Sequence, residues 1–179
     1  FTSNESTTNF IVGDITISGG TLSDFSGSGT TYTAILTPSG DATYTISVAE
    51  NTFTDLAGNN NTASNNFTWT LDSTSPTMTI TSTTVSSGDT SNDSTINVTF
   101  TSNESTTNFV EGDISVTNGS LSNFSGSGTT YSATLTPTTD GNCTISVAAA
   151  TFTDSSGNNN SASNNFSWTY DSTGPTMTI

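Results

Sequence analysis

The sequence predicts an all-β protein made of tandem antiparallel β-sandwiches. Residues 1–80 recur as residues 100–179 without insertion or deletion, and 57 of the 80 paired positions are identical. Short apolar–polar alternations separated by Gly, Pro, Asn and Asp fill each copy, and no segment shows a helical period. A constant period without gaps is typical of a repeated folding unit, and the period here is 99 residues.

The second copy contains the whole repeat and predicts seven strands. The first strand covers residues 77–81 after a proline, and the second alternates at Ile96, Val98 and Phe100. The other five are centred on Ile114 and Val116, on Leu121 and Phe124, on Tyr131, Ala133 and Leu135, on Cys143, Ile145 and Val147, and on Phe166, Trp168 and Tyr170. Seven short strands per repeat predict an immunoglobulin-like (Ig-like) sandwich.

Polar segments join these strands. We predict a turn over residues 86–94, a long loop over residues 103–112 and a turn at residues 126–128. Within the long loop, Phe109 is expected to insert into the core. The single cysteine, Cys143, aligns with a tyrosine in the first copy, so we expect a buried core residue and no disulfide framework.

The repeat boundaries predict one whole module between two partial ones. Residues 1–74 form a repeat that lacks its first strand and nearly all of its second. Residues 75–173 form a complete repeat, and residues 174–179 repeat the first strand of a following one. A module without two strands exposes a sheet edge and half of its core. We therefore expect that the chain continues on both sides, or that a neighbouring molecule supplies strands by exchange and so builds filaments.

The composition excludes several classes of function. The chain contains no Lys, Arg or His and fifteen acids, which gives a formal charge of −15. Binding to nucleic acids or to an anionic membrane surface needs cations, and direct membrane insertion needs a long apolar run that is missing. Nucleophilic catalysis with a histidine base, and Schiff-base chemistry with a lysine, are excluded as well.

Several motifs resemble the Ig-like repeats of large bacterial cell-surface adhesins and biofilm proteins. They are NESTTNF, GTLSDFSGSGTTYTA, TFTD and the junction Asp-Ser-Thr-x-Pro-Thr, and the resemblance covers the whole chain. It implies tandem modules that form an extracellular stalk or filament at the cell surface. In that family Ca²⁺ often stiffens the stalk near the module junctions.

Acidic side chains are the candidate ligands for such an ion, because none of them can form a salt bridge with a basic side chain. In an Ig-like sandwich the linker enters at the end that carries the second-to-third and sixth-to-seventh strand loops. Four acids can converge there as a Ca²⁺ site: Asp72, Glu104, Asp113 and Asp154. The equivalent partial sites are Glu5, Asp14 and Asp55 in the first copy and Asp171 toward the next module.

A structural interpretation of the same acids stays open. Asp154 also fits an Asx-turn before Gly157, and Asp113 and Asp171 fit loop caps. Asp41 and Asp140 are interpreted as turn residues at the opposite end of each module. The sequons at Asn66, Asn97 and Asn165 are candidate glycosylation sites.

We expect a structural, non-catalytic function. Each module forms one stiff unit, and short proline-containing junctions limit bending between neighbouring modules. The alternative is an adhesive module that binds glycans or a surface receptor, but the aromatic residues occur in phase with strand cores. An enzyme such as a glycoside hydrolase needs a cleft with two carboxylates at fixed separation, which a small tandem sandwich does not offer.

Overall fold

The computed structural model describes residues 1–179 and divides them into two compact units, Phe1–Ser73 (unit 1) and Thr74–Ile179 (unit 2). Both units are built of β-strands, and the only helical elements are two single 3-10 turns at Val12–Asp14 and Glu111–Asp113. The predicted all-β class is therefore confirmed. No helix is long and apolar enough to cross a membrane.

Unit 1 contains five strands in two small sheets. In chain order they are β1 (Thr2–Thr7), β2 (Ile15–Ile17), β3 (Thr21–Thr37), β4 (Ala42–Val48) and β5 (Phe67–Leu71). One sheet pairs β1 with β3, and the other has the order β2–β4–β5. All of these pairs are antiparallel.

Unit 2 contains seven strands in a three-stranded and a four-stranded sheet. They are β6 (Met78–Ser82), β7 (Thr90–Ser91), β8 (Ile96–Thr106), β9 (Ile114–Thr117), β10 (Gly119–Pro137), β11 (Gly141–Val147) and β12 (Phe166–Tyr170). The sheet orders are β10–β8–β6 and β7–β12–β11–β9. Only β7, which runs parallel to β12, departs from antiparallel pairing.

Alternate residues of facing strands form the core of unit 2. On β8 the buried positions begin at Ile96, Val98 and Phe100, and on β11 they are Cys143, Ile145 and Val147. This period of two follows from the pleat, which sends successive side chains to opposite faces. The predicted burial of Cys143 is confirmed, and its thiol donates to the Asn118 carbonyl oxygen at 3.2 Å.

Phe109 occupies the centre of an aromatic cluster, as the sequence predicts. Its exposed fraction is 4%. Its ring centroid lies between 5.0 and 5.8 Å from those of four other rings, which are Phe100, Phe124, Tyr131 and Phe152. Edge-to-face and tilted ring contacts of this kind stabilise a core beyond the area they bury.

The second strand is longer than predicted. A loop was expected from residue 103, whereas β8 continues to Thr106 and pairs there with Gly128 of β10. The Thr106 carbonyl oxygen accepts the Tyr131 hydroxyl at 3.0 Å, which satisfies a buried backbone acceptor. The extension was missed because its residues are polar on both faces and give no apolar alternation.

The predicted fourth and fifth strands form one continuous run, β10, that folds back on itself. The Ser125 and Ser132 hydroxyl oxygens lie 3.4 Å apart, and Ser122 Oγ donates to the Thr134 carbonyl oxygen at 3.5 Å. The turn lies at the predicted glycines, since Gly126 has φ 138° and Gly128 has φ 66°. Only glycine adopts such positive φ values without a steric energy cost.

The predicted turn over residues 86–94 contains a short strand, β7. Thr90 and Ser91 pair with Thr169 and Tyr170 of β12, and the Thr169 N–H donates to the Asp89 carbonyl oxygen at 2.8 Å. Two polar residues leave no periodic signal in the sequence. The prediction of a turn without strand is therefore wrong at these two positions.

Aromatic residues at equivalent positions are exposed in unit 1 and buried in unit 2. Phe67 is 58% exposed and Trp69 39%, whereas their counterparts Phe166 and Trp168 are 3% and 1% exposed. In unit 2 the core also contains β6 and the first half of β8, for which unit 1 has no counterpart within residues 1–179. Residues 174–179 form no strand in this structure.

Candidate functional site

Two of the predicted acids, Glu104 and Asp154, come together in unit 2. Each offers a carboxylate oxygen, and these two atoms lie within 4.8 Å of one another. Glu104 lies on β8 between the inward-facing residues Ser102 and Thr106, and Thr106 forms an isolated antiparallel bridge with Asp154. The extra length of β8 therefore brings Glu104 beside the loop that carries Asp154.

Asp154 organises the tight turn that follows it. Its Oδ1 atom accepts the backbone N–H groups of Ser156 (2.8 Å) and Asn158 (2.9 Å), and its Oδ2 accepts the Asn158 side-chain amide at 2.9 Å. Gly157 closes the turn with φ 91°. This is the geometry that the Asx-turn interpretation requires.

Two opposing effects set the protonation of Asp154. Burial has the largest single effect and raises the pKa of this carboxyl, since the side chain is only 4% exposed. The hydrogen bonds from Asn158, Ser156 and Gly157 together outweigh burial and lower the pKa below its ordinary value. Asp154 is therefore a buried carboxylate that stays ionised at neutral pH.

Two asparagines hold this loop in place, and the sequence interpretation missed both. Asn108 Oδ1 accepts the Thr153 N–H at 3.0 Å, and its amide donates to Thr153 Oγ1 at 3.2 Å. Asn160, which is 3% exposed, accepts the N–H groups of Thr151 and Phe152 at 2.8 and 2.9 Å. Their recurrence in both copies, as Asn9 and Asn61, was the available signal.

Asp113 does not join Glu104 and Asp154. Its Oδ2 accepts the Val110 N–H at 2.9 Å and closes the 3-10 turn. Asp14 makes the same bond to Ile11 at 2.9 Å in unit 1. Both residues are therefore placed as loop caps by the same local sequence.

In unit 1, Asp55 organises the same turn as Asp154, but Asp55 is not buried. Asp55 Oδ1 accepts the N–H groups of Ala57 and Asn59, both at 2.8 Å. Hydrogen bonds from the Asn59 side chain and backbone lower the pKa of Asp55 below its ordinary value. Glu5, the counterpart of Glu104, is exposed on β1.

Asp72 and Asp171 occupy equivalent positions directly after the last strand of their units. Asp72 follows β5 and is half-buried, and Asp171 follows β12 and is exposed. The Asp171 carboxylate accepts the Thr173 N–H at 3.0 Å, and the backbone N–H of Asp171 donates to the Ser91 carbonyl oxygen at 3.0 Å. Asp171 thus adopts the loop-capping role that the sequence left open.

Asp41 and Asp140 fasten the segment that leaves each unit, a role that sequence reasoning missed. Asp140 Oδ1 accepts the Ser172 N–H (2.9 Å) and hydroxyl (2.7 Å), and Oδ2 accepts the Thr173 hydroxyl at 2.6 Å. The hydrogen bond from Thr173, followed by those from Ser172, lowers the pKa of Asp140. Asp41 holds the Ser73 N–H (2.9 Å) and hydroxyl (2.6 Å) in the same way.

The three candidate glycosylation sites, Asn66, Asn97 and Asn165, are all exposed. Their modification stays a prediction. The in-phase aromatic residues, which could also be read as a sugar-stacking platform, were expected in the core. Tyr32, Tyr131 and Trp168 are buried there, Phe25 and Phe124 are half-buried, and Trp69 is 39% exposed, so the expectation is wrong for Trp69.

Comparison with known families matches the chain in two consecutive segments. A family model described as the bacterial Ig-like domain matches residues 1–71 and, separately, residues 72–170. The chain belongs to the bacterial Ig-like domain family. The resemblance to tandem bacterial Ig-like repeats is thereby confirmed, and Asp72 is the first residue of the second match. No curated protein and no solved structure matches the chain.

Proposed function

We propose that this chain is a structural, non-catalytic segment of an extracellular stalk or filament built from tandem bacterial Ig-like modules. The observation that carries the proposal is the pair of adjacent family matches, which together span nearly the whole chain. Each unit has a hydrophobic core of its own, as a module that resists tension needs.

The short junction between the modules supports a mechanical role. Ser73 is fastened to unit 1 by Asp41, and the buried Pro76 is fastened to unit 2, where its carbonyl oxygen accepts the Ser161 N–H at 2.9 Å. Two residues separate Ser73 from Pro76 in the sequence. A connection of two residues followed by a proline has little freedom to rotate, so bending of the stalk is restricted.

Loosening the fastening at Asp41 tests this role. In the 179-residue chain, Asp41→Ala removes the acceptor for Ser73 and is expected to broaden the distribution of particle dimensions measured by small-angle scattering. Glu50→Ala is the matched control, because it removes the same charge from an exposed position. An identical distribution for both variants and the wild type would contradict the proposed mechanism.

We also propose that Ca²⁺ binds Glu104 and Asp154 of unit 2. The closeness of the Glu104 and Asp154 carboxylate oxygens supports this proposal. Carboxylates suit Ca²⁺, which takes six to eight oxygen ligands, so loop carbonyls and water must supply the remainder. The bound ion would hold the end of β8 against the loop that carries Asp154.

Thermal unfolding with and without Ca²⁺ tests this site. At a Ca²⁺ concentration about ten times Kd, binding stabilises the fold by about 1.4 kcal/mol, and Tm is expected to rise by several degrees. Glu104→Gln removes the ligand charge and is expected to abolish the rise, whereas Glu111→Gln, an exposed acid of the same unit, leaves it unchanged. The absence of any Ca²⁺ effect on the wild type would refute the site and leave these acids as turn formers.

The alternative function, adhesion to glycans or a surface receptor, has weaker support. The in-phase aromatic residues of the complete unit lie in its core and offer no stacking platform. We therefore retain the stalk as the proposed function.

A further inference from the structure

In unit 2, Asn118 holds the turn between β10 and β11. Its Oδ1 atom accepts the Thr139 backbone N–H at 3.2 Å and the Thr139 hydroxyl at 3.0 Å, and its amide donates to the Thr139 carbonyl oxygen at 2.8 Å. The Asn118 carbonyl oxygen also accepts the Thr138 N–H at 3.2 Å. This set of bonds, the turn clamp, fixes both backbone polar groups of the residue that precedes Asp140.

Unit 1 holds the equivalent turn with a residue from a different strand. Tyr44 lies on β4 and is 1% exposed. Its hydroxyl accepts the N–H groups of Ser39 and Gly40 at 3.0 and 3.1 Å and donates to the Gly40 carbonyl oxygen. A tyrosine that bonds back to the backbone a few residues upstream is a recurring corner of Ig-like sandwiches. Since Gly40 lies one repeat period before Thr139, the same two backbone groups are held by a tyrosine in one unit and an asparagine in the other.

The two forms of the turn clamp exclude each other. Asn118 replaces Gly19 of the first copy, and Cys143 replaces Tyr44. A Cβ atom added at Gly19 would lie 3.2 Å from Tyr44 Cε1, closer than the optimal separation of two carbon atoms. In unit 2 the Asn118 side-chain nitrogen lies 3.5 Å from Cys143 Sγ, so a tyrosine ring at position 143 would overlap the Asn118 side chain. The two residue pairs are therefore alternatives.

In both units the clamped residue directly precedes the aspartate that fastens the departing chain. Asp140 Oδ1 accepts the Ser172 N–H at 2.9 Å, and Asp41 Oδ1 accepts the Ser73 N–H at 2.9 Å. A side chain is held in a productive position when hydrogen bonds fix the structure that supports it. The turn clamp therefore determines where each carboxylate lies.

We propose that Asn118 and Tyr44 are the positioning residues for these two aspartates, and that one residue pair can replace the other when both members are exchanged together. Because the clamp bonds to the turn and not to the aspartate, it leaves both carboxylate oxygens of Asp140 to bind Ser172 and Thr173. The inference deepens the proposed stalk function and rests on it, since it names the residues that set how the chain leaves each module.

Amide hydrogen exchange in the 179-residue chain, measured by NMR, tests the clamp of unit 2. Asn118→Gly removes the clamp without backbone strain, because the Asn118 φ of 56° is a value that glycine adopts freely. The Ser172 amide is expected to exchange at least about tenfold faster. The hydrogen bonds from Thr173 and Ser172 lower the pKa of Asp140, so this pKa is expected to rise toward its ordinary value. Asn123→Gly is the matched control, since Asn123 has φ 55° and is exposed, and it should change neither quantity.

The clamp of unit 1 is tested by removing one oxygen atom. Tyr44→Phe keeps the ring and is expected to speed exchange of the Ser73 amide at least about tenfold. Tyr32→Phe is the matched control, because it removes another buried hydroxyl of unit 1, whose hydrogen bond goes to the Thr7 carbonyl oxygen at 2.8 Å. It should leave the Ser73 amide unchanged. The amides of β4, followed in the same spectra, separate local loosening from unfolding of the unit.

Exchanging the pair tests whether the two clamps are equivalent. The double variant Asn118→Gly/Cys143→Tyr is expected to return Ser172 exchange toward the wild-type rate, whereas Cys143→Tyr alone overpacks against Asn118 and lowers stability. Equal Ser172 exchange in Asn118→Gly and Asn123→Gly would overturn the positioning role. A double variant that exchanges as fast as Asn118→Gly would overturn the equivalence. Both readouts lie within one unit, so they can fail while Asp41→Ala still broadens the scattering distribution, and the reverse also holds.

Discussion

Several carboxylates of this chain accept hydrogen bonds from N–H and O–H donors, and no side chain carries a positive charge that could pair with them. Asp154 and Asp55 organise turns, Asp113 and Asp14 cap 3-10 turns, and Asp140 fastens the departing chain. Hydrogen bonds that involve an ionised acceptor are stronger than neutral ones. For Asp154, Asp55 and Asp140 these hydrogen bonds also lower the pKa of the carboxyl, so the three residues act as internal fastenings in their ionised form.

Lowering the pH is expected to reduce the folding stability of unit 2 through protonation of Asp154. The folded-state pKa of this carboxyl is lowered, so its contribution to stability is present above the unfolded pKa of about 3.9 and is lost as the pH falls through the lower folded pKa. Asp154→Asn should therefore lower stability at pH 7 and reduce the loss between pH 5 and pH 2. Denaturant unfolding at pH 7, pH 5 and pH 2 measures the stability of the variant and of the wild type, with Glu50→Gln as control. An unchanged pH dependence in the Asp154 variant would count against the role of this carboxylate.

At the scale of structural elements, Phe109, which precedes the second 3-10 turn, packs against residues that are distant in the sequence. Phe109→Ala removes the ring at the centre of four ring contacts and is expected to cost about 3–5 kcal/mol in the free energy of unfolding. The adjacent Val110 is 54% exposed, so Val110→Ala should change the free energy of unfolding by less than about 0.5 kcal/mol. Equal destabilisation by the two changes, in denaturant unfolding, would contradict this picture.

The fold-back of β10 depends on one glycine. A Cβ atom on Gly126 would clash with the Thr130 carbonyl oxygen, and the Gly126 φ of 138° disfavours any other residue. Gly126→Ala is therefore expected to destabilise unit 2 by about 1–3 kcal/mol through strain and backbone adjustment. A Cβ atom added at Gly112 would have no neighbouring atom within 4 Å, so Gly112→Ala is the control with little effect. Hydrogen exchange of β10 amides locates the damage, and protection equal to the wild type would show that the turn tolerates a side chain.

Apolar alternation predicted most strands of the complete unit, because buried side chains on a pleated strand must alternate. It failed where strands are held by backbone and polar contacts alone, namely at β7 and at the polar end of β8. These parts pair through Thr90 and Thr106, whose neighbours are also polar. Periodicity reports burial, so strands without a buried face are invisible to it.

For the molecule as a whole, repeat alignment predicted the tandem organisation, and topology predicted that Glu104 and Asp154 would meet. Neither argument could predict that Asp113 accepts a hydrogen bond within its own loop or that Asp140 binds the segment that leaves unit 2. The direction of these side chains depends on local hydrogen bonds. The exit fastening involves partners 32 residues apart, Asp140 and Ser172, which no short motif reveals.

The two units are expected to unfold separately, with unit 1 unfolding first. The buried core of unit 1 is small, and Phe67 and Trp69 remain exposed, whereas their counterparts in unit 2 are buried with β6. Since burial of apolar surface supplies most of the driving force, unit 1 should have the lower denaturant midpoint. Hydrogen exchange at increasing denaturant resolves amides of β4 from those of β11, and coincident midpoints would contradict the expectation.

The identity between residues 76–80 and 175–179 also has a consequence for how such a protein reaches its folded state. Because the two segments are identical, residues 175–179 match the position that residues 76–80 occupy in unit 2, where the Asn164 amide holds Ile80, and they can dock there in its place while the chain is still collapsing. Neighbouring domains of similar sequence are prone to this kind of misassembly. Synthesis from the N-terminus presents residues 76–80 before residues 175–179, so the order of emergence from the ribosome becomes part of the information that pairs this strand with unit 2.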